Sequence, residues 1–412
     1  MPSPSTYAAE CGTPASKNAV KAGLCNSAVW LLAVAAGCSV ANVYFAQPLL
    51  DALGREFAIS QAVIGGVVTA TQLGCLLALL LVVPLGDRVD RRRLMLVQLA
   101  LLAAALCGVA VAPSAVALLA GMLAVGLLGT AMTQGLIAYA AAAAPDADRG
   151  RVVGVVQSGV FVGLLLARVF AGAISDLAGW RGVYIASALC MLVLAWPLWR
   201  QLPPVFVVSQ RLAYGSLLAS MWQLLRTSRV LQVRGMLAFF MFAAFNIFWT
   251  ALVLPLSAPP WSYSHTLIGA FGLVGAVGAL AAARAGLWAD RGRGQRTTAA
   301  ALLLLLLAWW PLAYMPQSLL ALVLGIVLLD VGGQAVHVVN QNMIFAQQTG
   351  SQSRVVGLYM LFYAAGSGVG AWAATATYAH YGWLGVCVLG ALVSGAALLW
   401  WLATHSWMEK MD

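Results

Sequence analysis

The residues best suited to chemistry lie within one long apolar segment, 318–342. Four of its polar residues, spaced at i, i+4, i+7 and i+11, are Asp330, Gln334, His337 and Gln341. A helix places positions with this spacing on one face. Because an apolar environment favours the neutral form of a carboxyl group, we predict that Asp330 takes up and releases a proton, and that His337 assists it. For the two glutamines, hydrogen bonds that only hold helices together are an equal alternative.

Two basic residues also lie within apolar segments, Arg168 and Arg284. A charge in lipid costs several kcal/mol unless it faces a partner or a water-filled cavity. Arg284 lies close enough to a segment end for its side chain to reach the interface. Arg168 lies deeper, and we predict that it belongs to the proton-coupling site with Asp330. A structural ion pair between Arg168 and Asp176, two turns further on, is the alternative.

Further polar residues in apolar segments are mostly amides and aromatics, and few are charged. They are Asn42, Tyr44, Gln47, Gln72, Gln134, Tyr139, Gln157, Asn246, Gln334, Tyr359 and Tyr363. A cavity lined in this way suits a neutral or amphipathic organic molecule held by stacking and apolar contact. For any single residue of this set, packing between helices is the alternative.

The composition shows what kind of element must hold these side chains. Of 412 residues, 62% are hydrophobic and 8% are charged, against about 25% charged in soluble domains. This excludes a soluble globular domain, and it also excludes a disordered or nucleic-acid-binding chain. The seven cysteines show no pairing that would suggest disulfides or a metal site. We therefore predict an all-α protein embedded in the lipid bilayer.

Twelve segments have the length and apolarity of a membrane-spanning helix. They lie near 28–50, 61–84, 94–112, 116–140, 152–176, 182–199, 232–256, 266–288, 297–314, 318–342, 355–378 and 383–403. Continuous apolar segments of this length are typical of helices rather than barrel strands. The predicted units are a tail 1–24, a six-helix bundle 25–200, a linker 201–231, a second six-helix bundle 232–404 and a tail 405–412.

The basic residues predict the topology, because lysine and arginine in short loops favour the cytoplasmic side. If both tails and the even-numbered connections are cytoplasmic, 18 of the 22 basic residues lie on that side. An even number of spans agrees with both termini being inside.

The two bundles are related by an internal repeat at an offset of 203 residues. The matched pairs include Arg151 with Arg354, Gly163 with Gly366, Gly179 with Gly382, Trp180 with Trp383 and Asp87 with Asp290. Two halves with the same orientation predict a pseudo-two-fold axis along the membrane normal and a cavity between them near the midplane.

The loops 84–93 and 286–296 each contain an Asp-Arg pair followed by further arginines. They resemble the Asp-Arg loop signature of the major facilitator superfamily. The resemblance implies that Asp87 and Asp290 act as anions against a helix amino terminus of the other half. Arg88, Arg91 and Arg291 belong to the same gating loops, although for Arg91 a role as a cytoplasmic anchor is an equal alternative.

The segment 42–48 resembles the drug:proton antiporter branch of that superfamily, whose helix-4 arginine is replaced here by Ala131. The resemblance implies a monomeric transporter of the cell inner membrane that exports a small amphipathic organic compound in exchange for protons. No cofactor other than the proton gradient, no metal and no nucleic-acid partner are expected. Uptake by proton symport is the close alternative. Two alternatives are more distant. One is a membrane-embedded enzyme that uses Asp330 and His337, although the sequence contains no hydrolase or phosphate-loop motif. The other is a receptor that does not transport.

Overall fold

The computed structural model describes residues 24–87, 89–145, 147–203, 214–346 and 352–409. Within these ranges the regular elements are all helices, and eight of them are long and apolar enough to cross a membrane. Three of the eight, 149–201, 265–313 and 355–407, are 49–53 residues long. Because each of these three contains two of the predicted spans, the eight helices account for eleven of the twelve predicted segments. The remaining segment, the first, contains the shorter apolar helix Asn26–Ala41.

We number the helices of the two bundles in chain order. They are α1 (Asn26–Ala41), α2 (Gly66–Leu77), α3 (Arg91–Ala110), α4 (Ala115–Ala143), α5 (149–178), α6 (180–201), α7 (Arg229–Ala251), α8 (265–288), α9 (Gly294–Leu307), α10 (Leu319–Ala346), α11 (352–381) and α12 (383–409). The helix α8 consists of His265–Val274 and Ala276–Trp288, with Gly275 between them.

The repeated Gly-Trp pairs mark the sharp turns of two helical hairpins. Gly179, between α5 and α6, has φ 72°, and Gly382, between α11 and α12, has φ 62°. Glycine adopts positive φ without the steric cost that a Cβ atom brings. The following tryptophans anchor the turns: Trp180 packs on Phe57, with ring centroids 5.6 Å apart, and Trp383 donates to the Leu312 carbonyl at 2.8 Å.

The first span is less regular than the sequence predicts. The helix α1 ends at Ala41, and a turn and the short helices Gln47–Leu49 and Leu50–Glu56 complete the crossing. Pro48 lacks the N–H group that a continuous helix would use. The Asn42 side chain contributes to the break, because it donates to the Cys38 carbonyl at 2.8 Å and accepts from the Ser187 hydroxyl at 2.6 Å.

Glycines allow close packing at equivalent places in the two halves. In the first half, a Cβ atom at Gly163 of α5 would lie 2.2 Å from the Gly37 carbonyl oxygen of α1. In the second half, a Cβ atom at Gly366 of α11 would lie 2.2 Å from the Phe239 carbonyl oxygen of α7. These positions are a repeat pair at the 203-residue offset, so the repeat has a packing role.

The two halves contact each other closely at one end of the bundle, which we call the closed end. There α5 meets α8: a Cβ atom at Gly172 would lie 2.2 Å from the His265 carbonyl oxygen. On the other side α2 meets α11, where the Gly65 N–H donates to the Thr375 hydroxyl at 3.1 Å and the Thr69 hydroxyl donates to a backbone carbonyl at 2.9 Å. The loops with the Asp-Arg pairs lie at the opposite end, because α2 and α8 each lead away from these contacts toward them.

The described part of the predicted linker contains the helix Tyr214–Thr227, whose first residue donates its hydroxyl to the Leu81 carbonyl at 2.7 Å. Residues 204–213 and the predicted tail up to residue 23 lie outside the described residues. At the other terminus α12 continues to Glu409, beyond the predicted boundary at 404.

Candidate functional site

Asp330 lies in the middle of α10 and is 4% exposed. Its Oδ2 atom is buried and has no hydrogen-bond partner among the described residues. Oδ2 lies 2.7 Å from where a Cβ atom would stand at Gly275, and the Asp330 Cβ lies 2.9 Å from the corresponding point at Gly278. Only glycine at these two positions of α8 leaves room for the carboxyl group.

The local backbone of α8 explains this close approach. At Gly275 the helix tightens, since the Gly275 N–H bonds the Gly272 carbonyl at 3.2 Å and the Gly278 N–H bonds the Gly275 carbonyl at 2.9 Å. Bonds to the third residue back are typical of a 3₁₀ turn. The tightened turn presents bare backbone to α10 at the level of Asp330.

Arg168 of α5 is 5% exposed and contacts side chains of both halves. Its Nε–H donates to Gln47 Oε1 at 3.0 Å, and Gln47 Nε2 donates in turn to Asn246 Oδ1 of α7 at 3.1 Å. The guanidinium carbon lies 4.1 Å from the ring centroid of Trp249 and 5.6 Å from that of Tyr44. Cation–π contacts and an amide stabilise the buried charge without an ion pair.

Arg168 and Asp330 face the same stretch of α8 from the two halves. The Arg168 Cδ atom lies 3.4 Å from the Cβ position of Gly272, one turn from Gly275. The two charges attract each other. The ion pairs within 4.0 Å between described residues do not include Arg168 with Asp330. The alternative of a clamp between Arg168 and Asp176 is wrong, because Asp176 accepts hydrogen bonds from His265 and Thr266.

His337 lies on the same face of α10 as Asp330 but in a different cluster. The rise of a helix separates the two positions by about 10 Å along the axis. The His337 Nδ1 atom lies 2.9 Å from the Tyr359 hydroxyl of α11, and its Nε2 atom lies 3.4 Å from Gln341 Nε2. Phe242 of α7 packs edge-on against the imidazole at 5.3 Å. These contacts do not bring His337 to Asp330.

Tyr44 and Tyr363 join the two halves through a hydrogen bond between their hydroxyl groups. Tyr363 also packs against Phe242, with ring centroids 4.4 Å apart. Gln72 of α2 is buried, and its Cβ atom lies 3.4 Å from the Cβ position of Gly368 of α11. Aromatic and amide groups of both halves therefore meet beside Arg168.

Comparison with known proteins decides the family. The model of the Major Facilitator Superfamily matches residues 32–285. The chain belongs to the major facilitator superfamily. It is 40% identical over 383 residues to the uncharacterized transporter YgaY of Escherichia coli O157:H7, covering 91% of this chain and 95% of the relative.

Solved structures of other transporters share the fold. A bacterial homolog of the human lysosomal transporter Spinster, inward-facing and occupied, has a TM-score of 0.75 at 13% identity, covering 92% of this chain and 96% of that one. The D-xylose–proton symporter has a TM-score of 0.73 at 14% identity, covering 91% and 97%. The protein is therefore a multi-pass membrane transporter with the major facilitator fold, and it is not an enzyme.

The remaining residues predicted to line the cavity differ in how far they are buried. Gln134 and Gln334 are half-buried, and Gln157 is exposed. Tyr139 does not belong with the cavity, because it is fully buried and its hydroxyl donates to the Pro203 carbonyl at 2.7 Å. It instead fastens the end of α4 to the chain that follows α6.

The predicted gating loops make their described contacts within their own halves. Asp290 is exposed and accepts from Asn342 Nδ2 of α10 at 3.3 Å, and Arg291 is exposed. Arg91 donates to the Ala138 carbonyl of α4 at 2.6 Å. Asp87 ends a short helix and its side chain lies outside the described residues, as does the whole of Arg88. That Asp87 and Asp290 act as anions against a helix amino terminus of the other half stays a prediction.

Arg234 of α7 is a polar residue whose position sequence reasoning missed. Its place near the start of a predicted span puts it among the 18 basic residues of the predicted cytoplasmic side, yet the side chain is 1% exposed. It donates to the Thr298 hydroxyl at 3.0 Å and to Asn340 Oδ1 at 3.3 Å. The Asn340 amide returns a bond to the Arg234 carbonyl at 3.3 Å, so these residues connect α7, α9 and α10 within the second half.

Arg234→Ala is expected to destabilise the second half by about 2–3 kcal/mol, because two buried acceptors lose their donor. Denaturant unfolding of the purified protein in detergent measures this loss. Arg229→Ala is the matched control, since Arg229 is an exposed arginine in the first turn of the same helix. Equal stability of the two variants would contradict a structural role for Arg234.

Proposed function

We propose that this transporter exports a small amphipathic organic compound in exchange for protons, by alternating access. The observation that carries the proposal is the Asp330 carboxyl group, buried deep in α10 with Oδ2 lacking a hydrogen-bond partner among the described residues. An idle buried acid is costly in a membrane helix. Binding and release of a proton during each transport cycle would explain why an acidic residue is present at this position.

The surroundings of Arg168 support an amphipathic organic substrate. Trp249, Tyr44 and Tyr363 offer aromatic surface, and Gln47 and Asn246 offer amide groups that already bridge the two halves. A substrate that inserts between the halves would exchange these bonds for its own. In this proposal Asp330 carries the proton, and Arg168 adjusts the proton affinity of Asp330. His337 adjusts it as well, from the neighbouring cluster.

The proposed location is the cell inner membrane, with both termini cytoplasmic and the protein a monomer. The support for the orientation is the distribution of basic residues. Of the 22, 18 fall on one predicted side, and one of these, Arg234, is buried within α7. With this orientation the closed end faces the outside and the Asp-Arg loops face the cytoplasm. The cavity would then be ready to receive a substrate from inside the cell.

Uptake by proton symport is the second candidate, and the proximity of Arg168 to Asp330 favours it. When Asp330 is protonated, the positive charge of Arg168 loses the compensation of the carboxylate. An anionic group of the substrate would then bind best together with the proton. The D-xylose–proton symporter shows that the fold can accommodate symport, but at 14% identity it says nothing of the substrate here.

A thermal-shift screen followed by transport in inverted membrane vesicles tests the proposed export. A bound compound raises the unfolding temperature by mass action, so the screen supplies the substrate for the second step. Export predicts that an acidic lumen drives the compound into inverted vesicles and that a protonophore abolishes its accumulation. Symport predicts movement out of the lumen together with protons. A compound that binds but equilibrates regardless of the pH gradient would contradict both.

A further inference from the structure

A histidine at the closed end lies between two carboxylates of the opposite half. His265 is the first residue of α8, in the second half. Its Nε2 atom is 2.8 Å from Asp51 Oδ1, and its Nδ1 atom is 3.2 Å from Asp176 Oδ1. Asp51 lies in the short helix Leu50–Glu56, which completes the first span, and Asp176 lies in the last turn of α5, so both carboxylates belong to the first half.

The geometry distinguishes the two protonation states of this imidazole. A neutral histidine has one N–H donor and one acceptor nitrogen, whereas the imidazolium has two donors. Since carboxylates only accept, a neutral ring would turn a lone pair toward one of the two oxygens. Only the charged ring donates to both Asp51 and Asp176, and hydrogen bonds between charged groups are about twice as strong as neutral ones.

The other polar groups nearby hold the two carboxylates in place. Asp176 accepts from the backbone N–H groups of His265 at 3.1 Å and Thr266 at 2.8 Å, and from the Thr266 hydroxyl at 2.6 Å, so it caps α8. On the other side, Arg55 pairs with Asp51 Oδ2 at 2.7 Å.

The other charged groups near His265 among the described residues are further away or paired elsewhere. Glu56 and Arg181, at the same end, pair with each other at 2.8 Å within the first half. Arg168 of α5 and Asp330 of α10 face α8 about two to three turns deeper, at Gly272 and Gly275. The short helices Gln47–Leu49 and Val253–Leu256 that pack beside the start of α8 bring no charged residue to it.

We propose that His265, Asp51 and Asp176 form a second proton-binding site, separate from Asp330, that fastens the closed end when His265 is protonated. The site joins the halves directly, so separation of the two halves at this end breaks both of its hydrogen bonds. The closed arrangement is favoured at acidic pH. It weakens as the pH rises and the ring loses its proton.

With the orientation proposed above, this site faces the outside. A proton that arrives there after substrate release would then favour closure of the outer end and return of the empty transporter to the inward-facing state. This physiological reading rests on the proposed orientation, whereas the pH-dependent closure itself does not.

Distance measurements between spin labels across the closed end test the site. Leu177, beside Asp176, and Tyr381, before the α11–α12 turn, are 84% and 75% exposed and lie on opposite halves. Spin-labelled cysteines there, in a protein whose native cysteines are replaced, report closure as a distance shorter than that of the open state. Asp330→Asn serves as the background, because it removes the other proposed proton site from the pH response.

In that background the short-distance population should fall by about tenfold relative to the open one as the pH rises through the titration of the imidazole. His265→Gln should be more open at acidic pH and insensitive to pH. Asp51→Asn, which leaves the capping bonds of Asp176 in place, should weaken the pH response and serves if His265→Gln does not fold. Arg181→Gln breaks an ion pair at the same end within one half and should behave as the unmodified background.

Retention of the full pH response in His265→Gln would overturn the proposal. Loss of the response in the Asp330→Asn background alone, before His265 is changed, would also overturn it and assign pH sensing to Asp330. Neither result bears on the direction of substrate transport, so this site and the proposed function fail by different measurements.

Discussion

Asp330→Asn is expected to abolish accumulation of the transported compound driven by a pH gradient while preserving its binding. With one proton exchanged per molecule, a pH difference of two units supports an accumulation of about a hundredfold. In the variant, the concentration of the compound inside the vesicles should only equal the concentration outside. Asparagine keeps the size and polarity of the side chain but takes up no proton. Transport in inverted vesicles and a thermal-shift titration of the same compound measure the two properties.

Asp148→Asn is the matched control for this variant. Asp148 is an acidic residue at the start of α5 whose side chain is half exposed and pairs with Arg151 at 3.5 Å. It should accumulate the compound as the unmodified protein does. Gradient-driven accumulation that persists in Asp330→Asn would exclude this carboxyl group as the proton carrier.

Gly172→Leu is expected to force the closed end open. A Cβ atom at Gly172 would lie 2.2 Å from the carbonyl oxygen of His265 and 2.7 Å from the backbone nitrogen of Thr266. These are backbone atoms at the start of a helix, which cannot move aside as a flexible side chain can. Overpacking typically costs about 1–3 kcal/mol, which changes a ratio of two conformations by about 5- to 150-fold. Spin labels at positions 177 and 381 should therefore report long distances in place of short ones, and transport should stop.

Two further leucine variants of α5 separate this effect from a folding defect. At Gly154 no atom lies within 4 Å of the Cβ position, so Gly154→Leu should leave distances and transport unchanged. At Gly163 the obstructing backbone belongs to α1 of the same half, so Gly163→Leu should reduce stability rather than shift the conformation. Short distances in a folded Gly172→Leu protein would contradict the assignment of this end as the place where the halves separate.

The helices and the burial of Asp330 can be predicted from the sequence for clear physical reasons. Membrane spans are long and apolar, so composition alone delimits them, and the repeated Gly-Trp pairs recur because two hairpins need the same positive-φ turn. Asp330 was recognised because acidic residues are rare in such segments. The 3.6-residue period placed His337 on the same face but gave no information on which neighbouring helix would contact it.

The parts that sequence reasoning missed depend on contacts between distant segments. Asp51, Asp176 and His265 lie at the ends of different helices, and no spacing along the chain relates them. The place of Arg234 near a helix end is typical of a cytoplasmic anchor, yet its side chain bonds Thr298 of α9 and Asn340 of α10. The alternative ion pair of Arg168 with Asp176 does not form, because eight residues separate them by about 12 Å along the helix.

Infrared difference spectroscopy of the purified protein tests most directly whether Asp330 binds a proton. A protonated carboxyl group has a C=O stretching band that the carboxylate lacks, and isotope exchange of that band with solvent is slow when the group is buried. We expect a slowly exchanging carboxyl band in the unmodified protein at acidic pH that disappears as the pH is raised, is absent in Asp330→Asn and is unchanged in Asp148→Asn. The same band in Asp330→Asn would contradict the assignment of proton coupling to Asp330.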